Sequence, residues 1–262
     1  RAYSNMFLRL RQLCLVAYDL EPVVEDLKAV FDIEVCHRDP AVAKYGLHNA
    51  LLPMGNSFVE IVAPTKDKTA AGRYLDRRKG DGGYMVILDT DELDRWQKHV
   101  DAIGVRVAAR LTSEGYRGLQ LHPRDTGGTL LEINWSDGGA DVNAAYHPAG
   151  AGWNTYVRTT VVKAIVGAEL QSDRPERLAA KWSEILRKPA RQIDAEWRVD
   201  VDNASLRFVS ARDDRGEGLS GIDLQVTERP RVWDVARGRG LAVTDGSVLI
   251  GGVRFNPIEA KR

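Results

Sequence analysis

The hydrophobic and polar positions at 8–65 predict one strand, one helix and three further strands. The apolar run Leu8–Tyr18 predicts the first strand, and apolar residues at helical spacing after Pro22 predict the helix. Glu60 interrupts the apolar run of the last strand, and a buried carboxylate costs free energy unless it is paired. The three strands after the helix are expected at 33–36, 47–52 and 57–63.

The same order of elements recurs at 82–136. It starts with a strand at 84–88, continues with a helix that has Trp96 on its apolar face, and ends with three strands. The last strand carries Glu132 between apolar neighbours, at the place that Glu60 has in the first copy. This internal repeat predicts that the two acids share one interior site, although a strand acid that faces solvent is the ordinary alternative for each.

The second half of the chain repeats the pattern less regularly. Residues 138–155 are rich in Gly, Ala and Asn, which predicts a linker. Two looser copies follow it, so we count four tandem βαβββ modules. The predicted organisation is a first domain at 8–137 (modules 8–65 and 82–136), the linker at 138–155 and a second, degenerate domain at 156–262.

Composition excludes several classes of function. The 37 basic and 37 acidic residues give a formal net charge of zero, which argues against a general nucleic-acid binder or a polybasic membrane protein. Two cysteines, Cys14 and Cys36, are too few for a disulfide framework or a zinc knuckle. No secretory signal or membrane-length apolar run is visible, so we expect a soluble cytoplasmic protein with a small-molecule partner.

Two segments resemble the vicinal oxygen chelate superfamily, which includes glyoxalase I, methylmalonyl-CoA epimerases, bleomycin-resistance proteins and extradiol dioxygenases. HPRDTGGTLLEI at 122–133 is similar to a turn and metal-ligand strand of the epimerases, and QLCLVAYDLE at 12–21 resembles the family's first strand. The resemblance covers 8–135 well and rests on module order alone at 156–262. It implies an α+β fold in which each pair of modules forms a curved, half-open mixed sheet, as in glyoxalase-like domains.

In this superfamily one residue from each of four strands binds a divalent metal. The resemblance places metal ligands at Gln12, Glu60 and Glu132, and the fourth position falls on Met85. Met is a poor ligand for the hard cations that carboxylates and amides select, so the chain departs from the family pattern there. The cation can be Mg, Mn, Ni, Co or Zn, and a pocket that binds no metal is the alternative.

Further residues are candidates for substrate contacts near this site. The ordinary alternative for His122 is a cap of its turn, and for Cys14 it is an inert buried thiol. For Gln12 the alternative is a surface position, because its direction depends on strand register. The predicted substrate-binding residues are His48, Tyr84, Met85, His122 and Arg124.

The resemblance implies that Glu60 and Glu132 act as metal ligand and general base in the removal of a proton next to a carbonyl group. This chemistry is that of an isomerase, epimerase or lyase, and the residues leave open which acid has which role. The alternative is a non-catalytic small-molecule binder of the resistance type, which Met85 favours. A ring-cleaving dioxygenase is less favoured, because it needs two His and none follows His147. The resemblance also allows a homodimer.

Overall fold

The computed structural model describes residues 2–260 as two sheets with five helices. The elements of the first half are β1 (Leu8–Val16), α1 (Leu20–Phe31), β2 (Leu47–Met54), β3 (Ser57–Pro64), α2 (Ala70–Arg77), β4 (Gly82–Thr90), α3 (Leu93–Ala102), β5 (Val107–Ser113), β6 (Tyr116–Leu121) and β7 (Leu130–Ser136). Those of the second half are β8 (Val162–Ser172), α4 (Pro175–Leu186), β9 (Ala190–Ile193), β10 (Glu196–Val201), β11 (Ala204–Ser210), β12 (Gly218–Val226), α5 (Arg229–Gly238), β13 (Val243–Thr244), β14 (Ser247–Ile250) and β15 (Val253–Glu259).

The strand order shows the repeat directly. The first sheet has the order β2-β3-β1-β4-β7-β6-β5, in which β1 and β4 are antiparallel and each lies parallel to the last strand of its own module. The second sheet has the order β13-β14-β15-β12-β8-β11-β10-β9, with the same pairings around β8 and β12. Both sheets are mixed and open, which confirms the predicted α+β fold of four modules in two pairs.

The first module differs from the prediction at 33–36. No named strand forms there; an isolated bridge joins His37 to Leu51, the Cys36 amide donates to the Leu51 carbonyl, and Arg158 pairs with Glu34. The chain leaves α1 through Asp32 in the left-handed conformation and enters a 3-10 turn at Pro40. Residues 33–39 between these two turns pair with β2 at a single position, so the first sheet has seven named strands.

Helices α1 and α3 cover one face of the first sheet, and α2 lies against the other face. Helix α1 buries six apolar residues on one stripe, including Leu27 and Phe31, and each buried side chain of this kind contributes about 1.5–3 kcal/mol. One apolar cluster runs through both halves, and Phe31 lies 5.4 Å from Phe255 between ring centroids. Trp96 and Trp182 are buried in the same cluster. The opposite face of the first sheet carries α2 and a second apolar cluster, and it also holds buried polar side chains.

Residues 138–157, which we call the covering segment, are packed rather than extended as a free linker. Tyr146 and Trp153 are each 2% exposed, and two 3-10 turns form at His147–Ala149 and Trp153–Tyr156. The domain boundaries stay a prediction. Within the described residues, no helix has the length and apolar character needed to cross a membrane.

Candidate active site

Strand register places the predicted acids on one face of the first sheet. Cys14 on β1 lies opposite Glu60 on β3 and Met85 on β4, and Ile87 on β4 lies opposite Glu132 on β7. Residues paired in register project to the same side of a sheet. We call this side, which is opposite α1 and α3, the inner face.

Glu60 is buried on the inner face with a hydrogen bond to each carboxylate oxygen. Gln12 Nε2 donates to Oε1 at 2.8 Å, and Asn49 Nδ2 donates to Oε2 at 2.8 Å. Gln12 is 2% exposed, so it is an interior residue and not a surface position. Asn49 was not predicted, although its place on β2, two residues from Leu47 on the same face, is the signal that could have found it.

Glu132 is 2% exposed and accepts three hydrogen bonds. Tyr116 donates its hydroxyl to Oε2 at 2.7 Å, and Asn134 Nδ2 donates to the same oxygen at 3.0 Å. Gln120 Nε2 donates to Oε1 at 3.0 Å. The three donors lie on β6 and β7 and face the acid because they share its side of the sheet.

Tyr146 of the covering segment joins the two groups. Its hydroxyl donates to Gln12 Oε1 at 3.0 Å and accepts from Asn134 Nδ2 at 3.1 Å. A continuous chain of hydrogen bonds therefore runs from Glu60 through Gln12, Tyr146 and Asn134 to Glu132. The structure thus brings the three predicted ligand residues into one buried network. Sequence carried no signal for Tyr146, because it lies in a segment predicted to be a linker.

The surroundings shift the pKa of Glu60 upward. Burial is the main cause, since it disfavours the charged form, and the nearby Glu132 carboxyl adds to it. Hydrogen bonds from Asn49, Cys14 and Gln12 oppose the shift without cancelling it. A carboxyl group with a raised pKa holds an accepted proton more readily than an ordinary carboxyl group does.

An apolar wall built on β1, β4 and α2 borders this network. Cys14, Val62 and Met85 are buried in it with Tyr74 of α2, and the Tyr84 ring lies 4.9 Å from the Tyr74 ring in an edge-to-face arrangement. Burial raises the pKa of Tyr84 to about 12 and raises that of Cys14 well above its ordinary value. Cys14 is thus in the state that makes a thiol unreactive.

Three predicted substrate contacts do not meet the acids. His48 is exposed and lies on the outer face of β2, because its neighbour Asn49 takes the inner face. His122 Nδ1 accepts a hydrogen bond from the Arg124 amide at 3.2 Å, which is the capping role that turn position favours. Arg124 itself is exposed. Strand alternation and turn geometry therefore direct all three away from Glu60 and Glu132.

The DTGG turn at 125–128 lies against the second half. Gly127 and Gly128 have φ values of 76° and 80°, which only glycine adopts readily. Trp182 of α4 donates its indole N–H to the Thr126 carbonyl at 3.1 Å. This turn therefore contributes to packing between the halves in addition to positioning β7.

The profile described as "Glyoxalase-like domain" matches residues 13–186, about two thirds of the chain. The chain belongs to the glyoxalase-like domain family. This confirms the resemblance to the vicinal oxygen chelate superfamily, and the match extends beyond the first sheet to the end of α4.

The proteins to which this glyoxalase-like protein is similar match different parts of its chain. It is 24% identical over 131 residues to the mitochondrial methylmalonyl-CoA epimerase of Homo sapiens, with 48% of this chain and 72% of the relative covered. A Streptomyces coelicolor methylmalonyl-CoA epimerase variant solved with 2-nitronate-propionyl-CoA is 28% identical over 49% of this chain and 96% of that chain, with a TM-score of 0.44. A hypothetical protein from Staphylococcus aureus matches 96% of this chain and 100% of its own, with 12% identity and a TM-score of 0.67, which shows a shared overall fold.

The carboxylate and amide groups on the inner face of this glyoxalase-like protein are of the chemical type that binds a hard divalent cation. Among residues 2–260, no three His, Cys, Asp or Glu side chains are grouped as a metal site, so the amides have to contribute. Gln12 is in direct contact with Glu60, and Asn134 Oδ1 beside Glu132 is a buried oxygen without a hydrogen-bond partner. Carboxylate and amide oxygens are the ligands that such cations prefer, whereas the Met85 thioether adds little.

The inner face of the second sheet is closed by ion pairs. Arg207 binds Asp223 through Nε–Oδ2 at 2.7 Å and Nη2–Oδ1 at 2.8 Å. Arg254 binds the Glu169 carboxylate at 2.6 Å from Nη2. Arginine guanidinium groups neutralise both of these buried acids, and no His follows His147 in the sequence, so the described part of this face lacks the two His that the ring-cleaving alternative needs.

Proposed function

We propose that the first half is an isomerase-type site that removes a proton next to a carbonyl group of a small molecule. The observation that carries this proposal is the pair of buried acids, Glu60 and Glu132, on one face of one sheet and joined by a single hydrogen-bond network. The family assignment and the methylmalonyl-CoA epimerase relatives support it. The substrate class we propose is a carbonyl compound or thioester with an acidic C–H group.

Glu60 takes the proton in this proposal. Its raised pKa brings the carboxyl closer to the pKa at which general bases work best. Strands β1 and β4 lie between β3, which carries Glu60, and β7, which carries Glu132. The two acids therefore flank the space above β1 and β4, and Glu132 is the group that returns a proton from the opposite direction. An epimerase needs such a pair, because inversion requires loss and return of the proton on opposite faces of the carbon.

The reaction also needs a group that stabilises negative charge on the substrate oxygen, and a candidate lies beside Glu132. The Tyr116 hydroxyl gives its one hydrogen to Glu132, but the Gln120 amide uses only one of its two hydrogens there. The second N–H of Gln120 is the donor that would stabilise negative charge on a substrate oxygen. We further propose that Gln12, Glu60 and Glu132 hold a divalent cation. When bound, the cation would polarise the carbonyl and stabilise the enolate. Its binding would displace the hydrogen bond from Gln12 Nε2 to Glu60 and would require the Gln12 amide to turn its oxygen toward the cation.

The test combines metal analysis with proton exchange. The purified chain is loaded with Mg, Mn, Co, Ni or Zn, and deuterium uptake from D₂O into methylmalonyl-CoA is followed by mass spectrometry. We expect about one equivalent of cation, and an exchange rate that falls at least about 100-fold in Glu60→Gln and Glu132→Gln. Glu25→Gln, an exposed acid on α1, is the matched control and should keep both.

Outcomes of this test separate the two candidate functions. Exchange that both site variants retain would refute the role of the acids. A non-catalytic small-molecule binder is the second candidate, and it is favoured by Met85 and by donors that already occupy all four carboxylate oxygens. A wild-type chain that binds a carbonyl ligand but exchanges no proton would select this candidate. With either function we also propose a cytoplasmic location and a homodimer. Analytical ultracentrifugation would measure whether the chain is a homodimer.

A further inference from the structure

Arg11 is a buried cation beside the predicted site. It is 3% exposed, and a β-bulge in β1 between Leu10 and Gln12 turns it to the inner face. A bulge places two successive residues opposite one on the neighbouring strand and so redirects a side chain. The Arg11 guanidinium lies 5.5 Å from the Phe58 ring centroid and 4.7 Å from the Tyr146 ring centroid, both of which belong to the inner face.

The charge of Arg11 is incompletely paired. Asp89 is the nearest acid, but Arg9 already binds it through Nε–Oδ1 at 2.9 Å and Nη2–Oδ2 at 2.6 Å. Arg11 Nη1 only approaches Asp89 at 4.0 Å, and the next acid that acts on it, Asp141, is exposed. Arg11 Nε has no hydrogen-bond partner within the described structure. A buried guanidinium in this state costs free energy that an anion would recover.

The covering segment occupies the position from which an anion would approach. Arg11 Nη2 donates to the Val142 carbonyl at 2.9 Å, and Tyr146 of the same segment lies between Arg11 and the network. Nε and Nη2 of one guanidinium are parallel donors that match the two oxygens of a carboxylate. Arg9 uses this same pair of atoms to bind Asp89.

We propose that Arg11 binds a carboxylate of the ligand, and that residues 138–157 are a lid that must move to admit it. The ligand carboxylate replaces the Val142 carbonyl on Nη2 and pairs with the free Nε, while Gln12 and Asn134 lose Tyr146 and become available to the rest of the ligand. The inference rests on the proposed function and narrows its substrate class to acids that carry a carboxylate near the reacting carbonyl.

Binding of malonate and of neutral malonamide, measured by isothermal titration calorimetry, tests the inference. We expect the wild-type chain to bind malonate about 10- to 100-fold more tightly than malonamide, as a charge-assisted bidentate pair provides. Arg11→Met should abolish this preference. Arg11→Lys should keep only part of it, because a lysine ammonium group lacks the two parallel N–H donors of a guanidinium group. Arg38→Met, on the exposed pair with Glu21, is the control and should retain the preference.

A wild-type chain without a preference for malonate, or an Arg11→Met chain that keeps it, would overturn the inference. Arg11→Met is expected to fold, since Arg9 still pairs with Asp89 and the three aromatic rings around Arg11 accept a methionine; the circular dichroism melting curve checks this. Proton exchange separates this inference from the proposed function. If Arg11→Met loses the malonate preference and no chain exchanges a proton, the carboxylate site is supported and the proposed reaction is refuted. If the wild type and Arg11→Met both exchange the proton with the same KM, the proposed reaction is supported and the role of Arg11 is refuted.

Discussion

Tyr146 is the residue whose replacement tests the architecture of the site most directly. Tyr146→Phe keeps the ring stacked on Phe58 at 5.4 Å but removes the hydroxyl that donates to Gln12 Oε1. Asn134 keeps its bonds to Glu132 and Tyr116, so the main loss is one buried acceptor left without its donor. Such a group costs about 1–3 kcal/mol of the free energy of unfolding.

Tyr146→Ala should cost more than Tyr146→Phe, about 3–5 kcal/mol, because the buried ring and its contacts with Arg11 and Phe58 are also lost. Both variants are measured by urea denaturation, with circular dichroism and tryptophan fluorescence as two probes of one transition. Tyr156→Phe, in the same segment but 45% exposed, is the matched control and should stay within about 0.5 kcal/mol of the wild type. If Tyr146→Phe costs less than about 0.3 kcal/mol, and Tyr146→Ala costs no more, the covering segment does not hold the network as described.

Three further predictions concern single groups. Because the pKa of Glu60 is raised above 4.5, the folded chain keeps a proton that the unfolded chain loses, so the free energy of unfolding falls as pH rises above about 4.5. Glu60→Gln should remove that part of the slope in urea titrations from about pH 4.5 to 7, and a slope equal to that of Glu25→Gln would contradict this. Arg207→Met strands the Asp223 carboxylate and should cost about 3–5 kcal/mol by urea denaturation, whereas Arg191→Met, on an exposed pair, should cost under about 1 kcal/mol; equal costs would argue against a buried cluster. Burial raises the pKa of the Cys14 thiol, so iodoacetamide should label it at neutral pH only when denaturant is added, and rapid labelling of the native chain, read by mass spectrometry, would refute its burial.

The matched acids were the most informative feature of the sequence. Glu60 and Glu132 interrupt apolar runs at the same place in two copies of one pattern, and the structure joins them through one network. His48, predicted as a substrate contact, lies on the outer face of β2, because the inner-facing position next to it is taken by Asn49. A shift of one residue changes the face, so such a prediction depends on register that the local pattern does not fix.

The second half shows a different limit. Its module order predicted the eight-stranded sheet, and the family profile reaches into it. Its inner face, however, is neutralised by Arg207 and Arg254, which come from β11 and β15 and reach acids on β8 and β12. Charge pairs between residues so far apart in the chain have no local signature, so the sequence could indicate only a degenerate domain.

The sequence by itself determined the order of strands and helices, the four modules and the shared position of the two acids, because alternation and helical spacing are properties of neighbouring residues. Only the tertiary structure decided what surrounds those acids. The bulge that turns Arg11 inward, the fold of residues 138–157 over the inner face and the position of Tyr146 between Gln12 and Asn134 all depend on contacts across the sheet or over more than ten residues. Such contacts are set by how complete elements pack together, and no single stretch of the chain encodes them.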